Sequence, residues 1–327
     1  MDRHRPALTR RWALLAAALP VAFLGLFFLW PVANILALGL APEGQLQLGH
    51  VLQTWSTPWV LDTVVFTLAL AGASTLLTLL LGMPAAWVFA RFTFPGKRVA
   101  RALTVVPFVL PTVVVGAAFL ALLGPRSPVN EALTLLFGEA FPQVRLDGSV
   151  AAILIAHVFY NVAVIVRLVG GMWGHIDPRT EEAARMLGAS PWAAFREVTW
   201  PLLRTAVISA ASIVFLFTVT SFGVVLLLGG PRDATLEVEI YRQTAILLDL
   251  PTAAALTILQ MIGVIVLLLA SARTQEGLAL QQRLRGSGET ARRPRAGRER
   301  AVVSIILAAT VLFMFVPLAV LAERSLQ

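Results

Sequence analysis

Residues 181–204 read EEAARMLGASPWAAFREVTWPLLR, charged and turn-punctuated, between an apolar block near 149–171 and another near 205–229. About 20 apolar residues cross a bilayer as a helix, so each flank is long enough to be a span and the stretch between them is a loop. Working outward, further blocks of that kind stand near 12–40, 59–90, 102–124, 252–271 and 301–322. The composition agrees: 58% hydrophobic, 13% charged, mean hydropathy +0.81, where a soluble domain carries about a quarter charged residues. Short alternating strands of the barrel type are not part of the pattern. The chain reads as an all-α polytopic membrane protein with seven spans. The opening MDRHRPALTRRW and the apolar run behind it look like a signal peptide, but that run continues through PVANILALGLA. Signal-peptide cores stop at about 7–15 residues, so an uncleaved first span is expected.

Basic residues orient such a chain, because they collect in cytoplasmic loops. One side holds twenty: Arg3, Arg5, Arg10 and Arg11; Arg91, Lys97, Arg98 and Arg101; Arg179, Arg185, Arg196 and Arg204; and Arg273, Arg283, Arg285, Arg292, Arg293, Arg295, Arg298 and Arg300. The other side holds five, Arg126, Arg145, Arg232, Arg242 and Arg324. Arg167, near the end of span four, can snorkel to the basic side. The N-terminus and the 181–204 loop are therefore expected in the cytoplasm. The net charge of +8 is an orientation signal, and no nucleic-acid partner is implied. The chain has no cysteine, which excludes disulfides, thiolate metal sites and cysteine nucleophiles.

Within the loop, local chemistry predicts two short helices. Asp177 is a good N-cap with Pro178 first inside, and Glu181 and Glu182 lie near the positive end of the helix dipole. Glu181 and Arg185 are spaced to pair at i,i+4, and Gly188 suits the left-handed position after the helix. Ser190 and Pro191 repeat the start signal, and the second helix runs toward Pro201. The apolar side, Ala183, Ala184, Leu187, Ala194, Phe195 and Val198, is thin for a hairpin resting on lipid. Small residues with a charged rim suit a protein partner instead.

The same loop carries a family pattern: Glu-Ala-Ala, three residues, Gly, nine residues, then Ile-x-Leu-Pro. Here Glu182, Ala183, Ala184, Gly188, Val198 and Trp200-Pro201 stand at that spacing, with Val198 for isoleucine and Trp200 for leucine. The chain resembles the inner-membrane permease subunits of bacterial ABC importers. The resemblance implies that the helix around Glu182–Gly188 sits in a groove of a cytoplasmic ATPase subunit and passes its movement to the membrane helices. Glu182 would hold charge register, Ala183 and Ala184 would permit close seating, Gly188 would form the turn, and Val198 and Pro201 complete the pattern. It also implies a periplasmic substrate-binding protein, a lipid surround and no cofactor. The chain is expected not to be an enzyme. A phosphate-binding loop needs G-x-x-x-x-G-K followed by Ser or Thr, and the only lysine, Lys97, precedes Arg98. RGSGET at 285–290 is expected to be flexible chain within an arginine-rich stretch.

Residues 1–271 are expected to form one permease unit with its coupling loop at 172–204, followed by a linker at 272–300. The segment LFMFVPLAVL (312–321) repeats features of LFFLWPVANI (26–35), so 301–327 is read as the first span of a second, truncated unit. A natural seven-span chain is the alternative. Fused double permeases of this kind are similar to the thiamine and ferric-iron branch. ILIAHVFYNVAVIVRLV (153–169) and LLLGGPRDATLEVEIYRQTAILLDLPTAAALTILQM (226–261) resemble thiamine permeases in particular; a ferric-iron permease is the alternative. Polar residues inside spans are candidates for function: His157 and Asn161 on one face of span four, Thr218 and Ser221 on span five, Gln260 in span six. They either line the translocation path or bond helix to helix. No metal site is expected around His157. Pro107 and Pro111 are expected to kink span three, and Asp233, Glu237 and Glu239 in 229–251 either meet a binding protein or face solvent. A gradient-driven secondary transporter, the rival class, would want carboxylates in mid-membrane, and Asp62 is the only acidic residue in the first six spans.

Overall fold

The computed structural model describes residues 7–41, 48–125, 127–139, 142–143, 145–282, 291–295 and 297–326. Arg3, Arg5, Arg126, Arg283, Arg285 and the RGSGET stretch lie outside the described residues. Among those described, every element is helical. Seven helical stretches are long and apolar enough to cross a membrane: Ala16–Leu40, Pro58–Arg91, Thr112–Phe137, Val150–His175, Pro191–Val219, Leu250–Arg273 and Arg298–Ser325. Each contains or overlaps one of the seven apolar blocks, because block length alone sets which segments can span.

The chain divides into two compact units, residues 1–61 with 239–262, and residues 62–238 with 263–327. In the first, α1 (Ala7–Leu24) continues through a π turn (Gly25–Leu29) into α2 (Trp30–Leu40), and α3 (Leu48–Trp55) follows. Leu19, Phe23, Phe27 and Trp30 are exposed, as lipid-facing residues are. Gly39 lies so close to Ala254 that a Cβ on it would collide, and the Trp55 indole donates to the Ala255 carbonyl at 2.8 Å.

The second unit is built around α8 (Val150–His175). Ile153, Ala156, Phe159, Ile165 and Val169 of α8 are all fully buried, and a helix apolar on every side is one that protein surrounds. α4 (Pro58–Arg91) and α11 (Trp200–Val219) pack along its C-terminal half, Ala86, Leu203, Ala210 and Val214 meeting Val164, Val169 and Trp173. On the other half, Phe119 of α6 (Thr112–Leu123) and Phe313 of α15 (Arg298–Ser325) meet Phe159 edge-on at 5.1 and 5.9 Å. Span seven thus shares the core of spans three and four.

Two spans are not single helices. Block 102–124 divides into α5 (Lys97–Val109) and α6. Leu110 is extended at φ −70, ψ 141, the conformation that a following proline imposes. Pro111 therefore breaks the span outright, whereas Pro107 stays inside α5. α7 (Pro128–Phe137) follows α6 across a further turn. Block 205–229 divides into α11 and α12 (Gly223–Leu228) with no proline at the break. There Gly223 presses on the start of α6: a Cβ on it would lie 2.6 Å from the Val113 nitrogen and 2.8 Å from the Thr112 hydroxyl. The two broken spans meet at their breaks.

The described parts of the linker include helix and a bridge. α14 (Leu250–Gln282) carries the sixth span eleven residues into 272–300. Beyond it, Arg292 forms a parallel bridge with Phe92, the sole β-type pairing among the described residues.

Candidate functional site

The loop after α8 folds as its caps dictate. In α9 (Pro178–Met186) the Asp177 carboxylate accepts from the Arg179 amide at 2.9 Å. Its C-terminus is a Schellman turn: Ala189 N donates to Ala184 O at 3.1 Å and Gly188 N to Arg185 O at 3.0 Å, with Gly188 at φ +94. That is the left-handed position that favours glycine. Ser190 Oγ then accepts from Ala193 N at 3.1 Å to start α10 (Pro191–Ala194). α10 does not stop near Pro201. It passes through a π turn, Phe195–Thr199, straight into α11, so one continuous 29-residue helix joins the loop to span five.

The two glutamates have different surroundings. Glu181 turns inward: its Oε2 accepts from Thr199 Oγ1 at 3.0 Å and lies 3.7 Å from the Arg91 guanidinium. Arg91 also donates to the Ile176 carbonyl at 2.9 Å. The Glu181–Arg185 pair expected from spacing is replaced by this longer-range one, because Arg91 at the end of α4 is largely buried and less screened than a surface arginine. Glu182 is exposed and borders a cleft of about 290 Å³ with Trp87, Phe92, Arg185 and Arg292. Ala183 and Gly188 are exposed, Ala184 and Val198 half-buried, Pro201 exposed.

The apolar stripe also divides. Ala194 is buried, and Phe195 stands 6.0 Å from Trp173 of the core. Leu187 points away at 91% exposure, beside Met186 at 88% and Trp192 at 68%. Met186 and Leu187 make an exposed apolar tip on a charged loop, while Trp192 stacks on Phe195 at 5.7 Å. The sequence reading missed Met186 and Trp192; their place on either side of a capped glycine turn was the signal.

Deeper in the second unit, His157 of α8 joins two neighbours. Its Nδ1 pairs with Ser74 Oγ at 2.8 Å and its Nε2 with Ser221 Oγ at 3.0 Å, so it ties the α11–α12 break to α4. The Tyr160 ring stands edge-on 5.7 Å from the imidazole. The Asn161 amide is fully buried beside the Tyr160 hydroxyl. Thr218 bonds back to the Val214 carbonyl of its own helix at 2.8 Å. His157, Asn161 and Ser221 are thus brought together; Thr218 lies one turn away, and Gln260 is buried in the other unit. Among the described residues no three His, Cys, Asp or Glu side chains cluster as metal ligands would. In the 229–251 segment, Asp233 accepts from Gly230 N at 3.1 Å, Glu239 holds Gln243 at 2.8 Å, and Glu237 is half-buried.

Residues 78–285 match the family model described as binding-protein-dependent transport system inner membrane component. The thiamine transport system permease protein of Brucella abortus (strain 2308) is 32% identical over 260 residues, 78% of this chain and 46% of that protein. This chain therefore spans about half the length of that relative. The molybdenum transport system permease protein of Azotobacter vinelandii is 35% identical over 184 residues, 55% of this chain and 79% of that one. A crystal structure of a bacterial ABC transporter involved in the import of the acidic polysaccharide alginate superposes with a TM-score of 0.66 at 18% identity, over 82% of this chain and 97% of its own.

Proposed function

This chain belongs to the inner-membrane components of binding-protein-dependent transport systems, and from that premise we propose that it couples a cytoplasmic ATPase to the import of thiamine or its phosphates. The observation that carries the coupling is the continuous helix from Pro191 to Val219, with the exposed Met186, Leu187 and Trp192 at its cytoplasmic end. A helix of that length is a lever of roughly 43 Å. An ATPase groove closing on the tip moves span five directly, and Glu181, held by Arg91 and Thr199, keeps α9 and the lever together. Nucleotide shifts the permease between inward- and outward-open states only if the ATPase grips the tip unequally in the two. Glu182, Ala183, Ala184 and Gly188 form the contact face, with Val198 and Pro201 seating the lever.

On this reading a periplasmic binding protein delivers cargo to the outer mouth, and residues 301–327 open a second six-span unit. The thiamine permease relative supports both the cargo and the double length. The molybdenum-system relative favours a second reading, another small solute carried on the same type of core. For the path, we propose His157, Asn161, Thr218 and Ser221 of the second unit and, separately, Gln260 of the first. The burial of these polar groups within spans supports this, since polar side chains at membrane depth are candidates for function.

The test is co-purification. The full chain, extracted gently from its own membrane, is expected to bring down an ATPase and to stimulate its hydrolysis when the binding protein is added with thiamine. Absence of any ATPase overturns the coupling reading. A binding protein that retains molybdate and ignores thiamine replaces the cargo.

A further inference from the structure

Segment 291–295, just before span seven, is held against the end of α4. Arg292 N donates to Arg91 O at 3.0 Å and Thr93 N to Arg292 O at 2.9 Å. The Arg292 guanidinium lies 5.2 Å from the centre of the Phe92 ring and grips both oxygens of Glu299. The Arg295 amide donates to the same carboxylate. Its hydrogen bond to Glu299 raises the pKa of Arg292 above the ordinary arginine value, and Glu182 across the cleft adds to the effect.

A single partly exposed ion pair contributes little, but this one closes a ring of contacts. Arg91 receives the linker through its backbone carbonyl and holds Glu181 and Ile176 through its side chain. Whatever fixes residues 91–93 therefore fixes the base of α9. Glu299 opens α15, so the same clasp ties span seven to that base.

We infer that Arg292 is a positioning residue for the α9 helix: with Phe92 and Glu299 it fastens the linker to the end of α4, from which Arg91 aims Glu181. Its effect on transport rests on the coupling role proposed above; its effect on the position of α9 does not. The cysteine-free chain allows the two to be separated. A spin label is placed at Met186→Cys on the tip, or at Leu135→Cys on α7, where the native residues are 88% and 87% exposed. In the full chain, Arg292→Ala is expected to raise the mobile fraction at position 186 about threefold, in keeping with a partly exposed ion pair and a cation–π contact, and to leave position 135 unchanged. Glu299→Gln, which keeps shape and loses charge, is expected to do the same. Arg292→Lys restores only part of the order, because an ammonium cannot grip two carboxylate oxygens as a planar fork. In complex with the ATPase, stimulation by the binding protein falls about three- to fivefold with the same variants, by the same reasoning on contact strength. Unchanged mobility at 186 in both Arg292→Ala and Glu299→Gln overturns the inference, and so does equal loosening at 186 and 135, which makes the clasp a general brace. A wild-type chain that brings down no ATPase refutes the coupling reading and leaves the label result standing.

Discussion

At the scale of single residues, neighbours in sequence carry different loads. Glu181 holds the hydroxyl of Thr199 and faces Arg91, whereas Glu182 is exposed at a cleft. Glu181→Gln is expected to cost about 1–3 kcal/mol, since it removes a charged acceptor from partly buried donors. Glu182→Gln is expected to leave the thermal midpoint unchanged and to weaken ATPase association alone; melting in detergent beside co-purification checks both. Gly188 is a cleaner case still. Nothing lies within 4 Å of a Cβ added there, and φ is +94, so the penalty of Gly188→Val is backbone strain of about 1–2 kcal/mol. The variant is expected to insert and fold while its tip points elsewhere, and Gly188→Asn, which tolerates the left-handed region, to recover most ATPase binding.

At the scale of elements, spans three and five are both broken, and the two breaks touch. Gly223→Val is expected to drive α12 off α6, because its side chain meets the backbone of Val113 rather than a movable side-chain end. Overpacking of that kind costs about 1–3 kcal/mol or more, read as a lower melting temperature of the purified chain. The two breaks were unequally legible. Pro111 announces the first, since proline constrains its own backbone and its predecessor's. The second has no local marker: it depends on Gly223 meeting Thr112 and Val113, and on Ser221 meeting His157, contacts made across more than sixty residues of chain. The loop caps at Asp177, Gly188 and Ser190 were legible because each acts within a turn. The Arg91–Glu181 pair and the Arg292 clasp were not, for the opposite reason.

At the scale of the molecule, twenty basic residues on one side and five on the other are the basis for our proposal that the Met186 tip faces the cytoplasm and the loop end of α7 the opposite side. A membrane-impermeant maleimide on intact cells is expected to label Leu135→Cys and to reach Met186→Cys only after the membrane is opened; the reverse pattern inverts the topology and removes the ATPase contact. The spans themselves were readable because bilayer thickness fixes their length, whereas the route from tip to membrane was not, since a second loop helix merging into span five looks in sequence like two elements. The join is the π turn at Phe195–Thr199. A π turn carries one residue more than regular winding needs, usually as an insertion inside an otherwise α-helical run. Were that surplus to migrate along the rod or be taken up, everything beyond it would rotate by about 100° and advance about 1.5 Å. A lever built this way would also be a screw with a spare thread, answering a push at one end with a turn at the other.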